Sequence, residues 1–535
     1  MRVLLVYPDL PFSFWTLKNT TPLQGFKALL PPLGLITVAA LLPRSWEMKL
    51  VDQNVEPLTE DHWRWAEVVM VTGMHLQKDG IRAIAAESRR RGVICVAGGP
   101  YATTHPEEML AAGCDFVVKG EAETVMDRLV GLIAQDRRGT IIEAEKRPEM
   151  SLSPIPRFDL LRLDEYVSFS VQTSRGCPYS CEFCDVIALF GRKPRYKSAD
   201  QFIAELDALR KLGVSDRGIF ICDDNFIGNK AHAGKLLDAL IPWHESVGKP
   251  FCFTTQASVD LAGNPGLIDR MTEANFFQIF VGLESPDEEA LEACGKHQNI
   301  RNPLLESIQT LCRDGLMVIG SFVIGFDGER KGVGDRIIGL VRESGMPVVM
   351  VNLLQAAPKT ELWDRLAREG RLFGVEPKGD GMLVPLNYLP SRPATEIMDE
   401  FTRAWDEIYE PRAYFERAHR WIMETRPTRA ALAQARGETP PPAPKRVPKS
   451  LRRSIAEARI FLHIAWRHGI ASDYRLLFWR QLINVWRKNP SRIHRYMTFC
   501  ALAEDMFEIR DLIVDYRKKG MAMTMETEVK MEAAC

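Results

Sequence analysis

The first 135 residues alternate short apolar runs with stretches of helical period. The runs are almost continuously apolar, which is typical of parallel strands covered on both faces. The predicted strands are Val3–Tyr7, Met48–Val51, Val68–Thr72, Val93–Ala97 and Phe116–Val118. The predicted helices between them are Leu33–Leu42, Gly80–Arg91, Pro106–Ala112 and Glu123–Ala134. The pattern predicts a doubly wound, Rossmann-like α/β domain over residues 1–135.

The same alternation returns after residues 136–170, which are polar, contain proline and are predicted to be a linker. Residues 171–385 give six β/α units, and a complete barrel of eight units would need more chain. The predicted strands are Val171–Ser174, Gly218–Cys222, Phe251–Ala257, Phe277–Gly282, Met317–Val323 and Val348–Leu354. This region is therefore predicted to form a partial (β/α)6 barrel.

Strand-like runs disappear after residue 385, and amphipathic stretches replace them. These stretches are Thr395–Tyr409, Ala413–Glu424, Ser450–Trp466, Tyr474–Trp486 and Ile493–Tyr516. They predict an all-α domain over residues 386–535. A proline-rich segment, residues 439–448, interrupts it and is predicted to be an exposed, extended linker.

The composition narrows the class of protein. With 535 residues the chain is long enough for about three domains, and 46% apolar with 26% charged residues is ordinary for a globular protein. A net charge of −1 gives no general attraction to nucleic acid. We expect a cytoplasmic protein without disulfides, because the sequence has no export signal, no run of 18 apolar residues and an odd number of cysteines, eleven.

Three cysteines lie close together, in the spacing Cys177-x3-Cys181-x2-Cys184. Three thiolates can hold three corners of a cubane iron–sulfur cluster and leave its fourth iron open. The alternative, a structural zinc loop, needs four ligands, and no second C-x2-C pair occurs in the chain. The spacing, with Phe183 before the third cysteine, resembles the radical S-adenosylmethionine superfamily. That resemblance implies a [4Fe–4S] cluster whose open iron binds S-adenosylmethionine and cleaves it to a 5′-deoxyadenosyl radical.

The resemblance extends to the ends of the later barrel strands. It implies that Phe183, Asp223, Asp224, Gln256, Glu284 and Ile324 bind S-adenosylmethionine. Asp223 and Asp224 would accept hydrogen bonds from its amino group, Glu284 would contact ribose or methionine, and Ile324 would provide an apolar surface beside the adenine. Near Pro358 the superfamily pattern has a glycine where this chain has Lys359. Seven other cysteines stand singly in mostly apolar surroundings and are interpreted as core residues, namely Cys95, Cys114, Cys222, Cys252, Cys294, Cys312 and Cys500.

Glycines follow several strands of the first domain, but the G-x-G-x-x-G of an ordinary dinucleotide site is missing. The set of strand ends resembles the cobalamin-binding domain that precedes many radical S-adenosylmethionine cores. The resemblance implies a cobalamin site at Pro8, Thr72, Gly73, His75, Gly98, Gly99, Pro100, Tyr101, Gly120 and Glu121. The axial-histidine motif D-x-H-x-x-G is absent after the first strand, so we expect cobalt without a histidine ligand from the protein.

Taken together, the chain resembles the cobalamin-binding radical enzymes that include the hopanoid C-2 methylase group. The resemblance implies methyl transfer to an unactivated carbon of a lipid or secondary metabolite, with an electron donor such as flavodoxin or ferredoxin. A radical rearrangement, oxidation or cyclisation with the same cofactors is an alternative. A non-catalytic cobalamin-binding sensor is another, and cleavage of S-adenosylmethionine would discriminate it.

Residues 449–496 are strongly basic, with eleven Lys and Arg against two acids, and Trp466, Trp479 and Trp486 are interleaved with them. A basic helical surface with tryptophans is typical of contact with an anionic membrane surface. Such contact would place the protein at the periphery of the inner membrane and suit a lipid substrate. The alternative is a helical lid with buried tryptophans and a solvated basic face.

Overall fold

The computed structural model of the chain describes residues 1–374, 386–439 and 451–519. Its N-terminal region forms a parallel sheet in the order β2-β1-β3-β4-β5-β6. The strands are β1 Arg2–Tyr7, β2 Glu47–Asp52, β3 Val68–Thr72, β4 Ile94–Gly98, β5 Phe116–Lys119 and β6 Thr140–Glu143. The helices are α1 Thr20–Leu23, α2 Leu33–Ala39, α3 Glu60–Trp65, α4 Lys78–Arg91, α5 Gly99–Thr104, α6 Pro106–Ala112 and α7 Met126–Ala134.

Successive residues of β1 pack into two different hydrophobic cores, one on each side of the sheet. Leu4 and Val6 pack in the cluster that contains Ile81 of α4, whereas Val3 and Leu5 pack in the cluster that contains Leu129 of α7. Alternate side chains of a strand point to opposite faces, so helices cover the sheet on both sides. This confirms the predicted doubly wound α/β class. Strand β6 lies within residues 136–170, which the sequence predicted to be a linker; it pairs with β5 at the edge of the sheet.

The second region forms a parallel sheet in the order β14-β13-β12-β11-β10-β7, which confirms the partial barrel. Its strands are β7 Ser168–Val171, β10 Arg217–Ile221, β11 Phe251–Gln256, β12 Phe276–Glu284, β13 Met317–Ile324 and β14 Val348–Leu353. A separate antiparallel ribbon consists of β8 Ser174–Arg175 and β9 Arg195–Tyr196. The helices are α8 Val186–Phe190, α9 Ala199–Lys211, α10 Lys230–Ser246, α11 Pro265–Glu273, α12 Glu288–Ala293, α13 His297–Ile300, α14 Leu304–Arg313, α15 Val333–Ser344 and α16 Glu361–Arg368.

The first barrel strand was predicted three residues too late, at Val171–Ser174. Strand β7 ends at Val171, and the chain then leaves the sheet so that Ser174 and Arg175 can pair with β9. The residues beyond the strand end remain buried, since Thr173 and Ser174 are only 0% and 3% exposed. Burial in a loop and burial in a strand look alike in sequence.

The remaining helices are α17 Ala394–Ile408, α18 Pro411–Glu424, α19 Arg429–Ala435, α20 Leu451–Gly469, α21 Arg475–Lys488 and α22 Ile493–Lys518. Helix α17 covers the edge of β14: Trp405 Nε1 donates to Val351 O at 2.9 Å, and Val349 N donates to Tyr409 Oη at 2.9 Å. An open strand edge would expose unpaired backbone groups, and this helix satisfies them. The helices and the barrel share one hydrophobic core.

Part of the predicted C-terminal organisation falls outside the described residues, namely residues 440–448 of the proline-rich linker and the predicted boundary at 385. Near its middle, α22 contacts the N-terminal region, where Asp505 accepts hydrogen bonds from Asn19 N and Thr20 N, both at 2.9 Å. No helix in the described part of the chain is both long and apolar enough to cross a membrane.

Candidate active site

The three cysteines lie on a loop that the β8–β9 ribbon closes at its base. Cys181 is buried, and Cys177 and Cys184 are half-buried. Gly176, just before the first cysteine, has φ +94°, and a Cβ there would lie 2.9 Å from Gly191 O on the returning chain. Only glycine suits that position, so the loop can fold tightly around the thiols.

Burial raises the pKa of all three thiols, and for Cys184 the nearby charge of Asp185 raises it further. Negative charge on neighbouring thiols adds to the effect, so three thiolates here require a positively charged partner. Among the described residues, no three His, Cys, Asp or Glu side chains converge on the position of a single metal ion. A cubane cluster suits three thiolates on one loop, because it offers a separate iron to each of them.

Asp223 holds the start of this loop. Its buried carboxylate accepts hydrogen bonds from Thr173 N at 2.6 Å, Ser174 N at 2.9 Å and Ser174 Oγ at 2.8 Å, and also from the Thr173 hydroxyl. Burial raises its pKa, and these bonds oppose the rise. Asp223 thus bonds the residues that lead into the cluster loop.

Asp224 is differently placed. It is half-buried, and Oδ2 accepts a hydrogen bond from Gly176 N at 2.7 Å. Burial raises the pKa of this carboxyl to about 7, and the charge of Asp223 contributes. Asp224 therefore sits directly beside the cluster loop with a carboxylate that the loop uses only in part.

At the end of β12, Glu284 is buried and forms an ion pair with Lys296. Burial alone would lower the pKa of Lys296, but the charges of Glu284 and of the Cys181 thiol raise it overall. Lys296 Nζ lies 6.0 Å from the ring centre of Phe183 on the cluster loop. The pair brings a positive charge next to the thiols and leaves Glu284 already partnered.

The two remaining predicted residues of this set end other strands. Gln256 is half-buried at the end of β11. Ile324 is fully buried (0% exposed), on the opposite face of β13 from Val323, whose neighbour across the sheet is the half-buried Asn352. Val323, rather than Ile324, is the residue at this strand end whose side chain shares the face of Asn352.

Sequence reasoning missed Asn352. Its Oδ1 is buried without a hydrogen-bond partner among the described residues. A buried amide oxygen without a partner is costly, and a bound ligand would satisfy it. No motif marks the residue, since it lies in a run of strand residues and its exposure depends on the sheet.

Lys359 stands where the superfamily pattern has glycine, and its φ of +66° explains that preference. Lys359 Nζ donates to Thr103 O of the first domain at 3.4 Å. Lys359 thus keeps the backbone conformation that glycine favours, and its side chain adds a contact between the barrel region and the first domain.

The residues predicted to bind cobalamin gather at the carboxyl edge of the first sheet. Pro8 follows β1, Thr72 and Gly73 end β3, Gly98, Gly99, Pro100 and Tyr101 join β4 to α5, and Gly120 and Glu121 follow β5. Gly99 has φ +88°, and any Cβ there would clash with Thr72 Oγ1. The backbone at this edge therefore packs closely against Thr72, which requires glycine at position 99.

Two of the residues predicted to bind cobalamin, Tyr101 and His75, contact other aromatic residues of the protein. Tyr101 is buried, stacks on His105 with ring centres 4.7 Å apart, and donates through its hydroxyl to Glu108 at 2.8 Å. His75 is half-buried, and its ring meets those of Tyr101 and His105 at 5.3 Å and 5.2 Å. These contacts tie His75 and Tyr101 into a protein aromatic cluster.

Glu121 joins the two regions. This buried carboxylate pairs with Arg175 at 2.7 Å and with Arg195 at 2.6 Å, one arginine on each strand of the β8–β9 ribbon. Glu123 also pairs with Arg175, at 2.7 Å. The buried charges fix the edge of the first sheet against the base of the cluster loop. The other basic residues flanking the loop, Arg192 and Lys193, are exposed.

Three parts of the chain match models of protein families or domains. Residues 23–130 match the B12 binding domain, residues 171–332 match the radical SAM superfamily, and residues 360–519 match a domain of unknown function. An uncharacterized methyltransferase of Synechocystis sp. is 41% identical over 96% of this chain and 92% of its own. The hopanoid C-2 methylase of Rhodopseudomonas palustris is 34% identical over 90% of this chain and 88% of its own.

Two solved structures share the fold. The radical S-adenosylmethionine methyltransferase TsrM from Kitasatospora setae, with cobalamin and a [4Fe–4S] cluster bound, superposes with a TM-score of 0.58 at 15% identity, covering 96% of this chain and 99% of its own. The cobalamin-dependent radical enzyme OxsB gives 0.57 at 15% identity, covering 98% and 82%.

The chain belongs to the cobalamin-dependent radical S-adenosylmethionine methyltransferases, the family that contains the hopanoid C-2 methylase. It is a radical enzyme whose cofactors are a [4Fe–4S] cluster, S-adenosylmethionine and cobalamin. Radical SAM enzymes typically act on small molecules and use a reductant as electron donor.

Proposed function

We propose that this enzyme methylates an unactivated carbon of an apolar, lipid-like substrate. When bound, the cluster and S-adenosylmethionine supply hydrogen abstraction and cobalamin supplies the methyl group, which is the chemistry that a non-nucleophilic carbon needs. The observation that carries the proposal is the 34% identity with a hopanoid methylase across nine-tenths of the chain, with all three cysteines present. The electron donor is proposed to be a flavodoxin or ferredoxin.

The residues of the chain have distinct parts in this proposal. Cys177, Cys181 and Cys184 hold the cluster, and Asp223 keeps their loop in place. Phe183, Asp224, Gln256 and Glu284 are proposed to line the S-adenosylmethionine site, with Val323 in the place first predicted for Ile324. Pro8, Thr72, Gly73, Gly98, Gly99, Pro100 and Gly120 are proposed to contact cobalamin. Both sets lie at carboxyl ends of parallel strands, where α/β folds bind their ligands.

The substrate is tested by comparing lipids and metabolites of a deletion strain with those of its parent. We expect the deletion strain to lack one lipid and to accumulate the same lipid without one methyl group. Complementation with the intact gene should restore the product, and complementation with a Cys177→Ala gene should not. An accumulated compound of equal carbon number, differing in hydrogen or oxygen content, would contradict methylation and favour oxidation or cyclisation.

We further propose that helices α20 and α21 rest on an anionic membrane surface that holds the substrate. Both helices carry large apolar side chains in contact with solvent. The exposed residues are Ile455, Phe461, Leu462, Trp466, Ile470, Leu476, Ile483 and Trp486, and Leu476 is 79% exposed. A patch of this kind marks an interaction site. We name these residues the apolar face.

Positive charge accompanies the apolar face. Arg459, Arg480, Arg487 and Lys488 are exposed and form no ion pair within the described residues. On α21, Leu476, Arg480, Ile483 and Arg487 follow each other at helical spacing, so apolar and basic side chains occupy one stripe. Basic residues beside exposed tryptophans complement anionic headgroups.

Other basic residues of 449–496 have structural tasks. Arg492 is buried and donates to Ile422 O and Thr425 O, both at 2.8 Å, and Arg495 lies over the ring of Phe277 at 5.6 Å. Trp479 donates to Gly469 O at 2.8 Å. The residues proposed to contact the membrane are therefore fewer than the eleven Lys and Arg of this segment.

Sedimentation with liposomes tests this contact. We expect wild-type protein to bind vesicles with anionic lipid, to bind neutral vesicles weakly and to dissociate as salt rises. Arg480→Gln/Arg487→Gln should weaken the anionic binding at least tenfold, since each basic residue contributes about 1 kcal/mol near such a surface. The matched control is Arg64→Gln/Arg90→Gln, which removes two exposed arginines of the first domain. Equal recovery of all three proteins in the supernatant would remove the membrane proposal.

A further inference from the structure

Residues 9–17 connect the end of β1 to the barrel, and no sequence motif marks them. Their start is held by Leu10 N, which donates to Asn54 Oδ1 at 2.9 Å. Ser13 and Thr16 form a tight turn, in which Ser13 N donates to Thr16 Oγ1 and Thr16 Oγ1 donates to Ser13 O, both at 3.0 Å. The hydrogen bonds of Asp505 to Asn19 and Thr20 hold the chain that follows. The segment is thus fixed at both ends and in the middle.

The turn presents two aromatic residues in different ways. Phe14 is buried (5% exposed) in the barrel core, as expected of an anchor. Trp15 lies against Phe280 of β12 with ring centres 5.0 Å apart, yet 46% of it stays exposed. An indole half-covered by the protein and half-open offers a large, rigid apolar surface to a ligand.

Phe280 places Trp15 relative to the active site. It alternates with Ile279 and Val281, which are fully buried on the face covered by helices, so Phe280 is on the other face. Gln256 pairs with Phe280 across the sheet and shares that face. Gly282 is two residues further along the strand, roughly 7 Å away.

A Cβ on Gly282 would lie 2.8 Å from Lys296 Nζ, so the Glu284–Lys296 pair covers this same face at the strand end. Lys296 in turn lies over Phe183 of the cluster loop. One continuous face of β12 therefore leads from Trp15 and Phe280 to the loop with the three cysteines.

We infer that Trp15 and Phe280 form the wall of the substrate site and that Trp15 is a specificity-determining residue for an apolar, ring-containing substrate. The inference rests on the proposed function for its substrate class. Trp15 comes from outside the barrel, so the first region contributes to the substrate site as well as to the cobalamin edge. A rigid aromatic pair orients a hydrocarbon that has few polar groups to hold it.

The test compares Trp15→Ala, Trp15→Phe and wild-type holoenzyme. The probe is the fluorescent hydrocarbon-like amine N-phenyl-1-naphthylamine, titrated into each protein and displaced with a hopanoid hydrocarbon. We expect at least a tenfold weaker displaceable binding for Trp15→Ala and recovery to within about threefold for Trp15→Phe. Iron and cobalamin contents, measured by absorption, report whether each variant is intact.

Because the apolar face could also bind this probe, Trp466→Ala/Trp486→Ala serves as the matched control. It should leave the displaceable binding as in wild type. Should Trp15→Ala lose its cofactors, Trp15→Leu gives the smaller change and is expected to weaken binding at least threefold. Unchanged displaceable binding in an intact Trp15 variant would overturn the inference. Lack of displaceable binding in wild type would instead overturn the proposed substrate class.

Discussion

Replacement of Cys181 by alanine should reduce 5′-deoxyadenosine formation by about a thousandfold or more. The three cysteines act as one unit in holding the cluster, so the loss of one removes the function of all three. Cys181 is the buried cysteine of the three. Its thiol lies in the field of the positively charged Lys296, and Gln298 Nε2 is 3.9 Å from its sulfur. The measurement is chromatography of the products of anaerobically reconstituted enzyme given S-adenosylmethionine and a strong reductant.

Cys500→Ala is the control for the loss of a thiol, because Cys500 is buried in α22 and belongs to the helical core. We expect it to retain iron and product formation. A Cys181→Ala enzyme that makes 5′-deoxyadenosine at the wild-type rate would show that the cluster lies elsewhere.

Replacement of Asp223 by alanine should destabilise the chain by about 3 kcal/mol or more, because buried donors of Thr173 and Ser174 would lose a charged acceptor. The same change should lower the iron content, since the start of the cluster loop is no longer held. Denaturant unfolding and iron analysis measure the two effects.

The Asp224→Asn variant distinguishes the role of Asp224 from that of the neighbouring Asp223. Its amide oxygen can still accept from Gly176 N, so iron should be retained. Binding of S-adenosylmethionine should weaken about tenfold, the usual effect of losing one charged hydrogen bond. If Asp223→Ala keeps its iron and stability while Asp224→Asn loses both, the assignment of the two roles is reversed.

Much of the fold follows from local pattern. Continuous apolar strands between amphipathic helices predicted both parallel sheets, and the loss of strand-like runs after residue 385 predicted the helical region. Strand β6 was not predicted, because four residues in a polar segment give little periodic signal. The helical region looked like a separate domain, but Trp405 and Tyr409 bond the edge of β14, a pairing between residues more than fifty positions apart.

The site divides in the same way. The cysteine spacing is a local signal, and so are the strand-end glycines. The roles of Asp223 and Glu121 depend on partners from other elements, Thr173 in one case and Arg195 in the other, and adjacent carboxylates in sequence cannot reveal them. The motif identifies the strand that carries Ile324, but it does not show which of two neighbouring residues, Ile324 or Val323, shares the face of Asn352.

The most direct measurement of methyl transfer uses S-adenosylmethionine with a fully deuterated methyl group. The reconstituted holoenzyme is incubated anaerobically with reductant and a total lipid extract of the deletion strain, and the products are analysed by mass spectrometry. We predict 5′-deoxyadenosine together with one lipid in which a trideuteromethyl group replaces hydrogen on carbon. Formation of 5′-deoxyadenosine with a lipid product that carries no label would contradict the methyltransferase assignment.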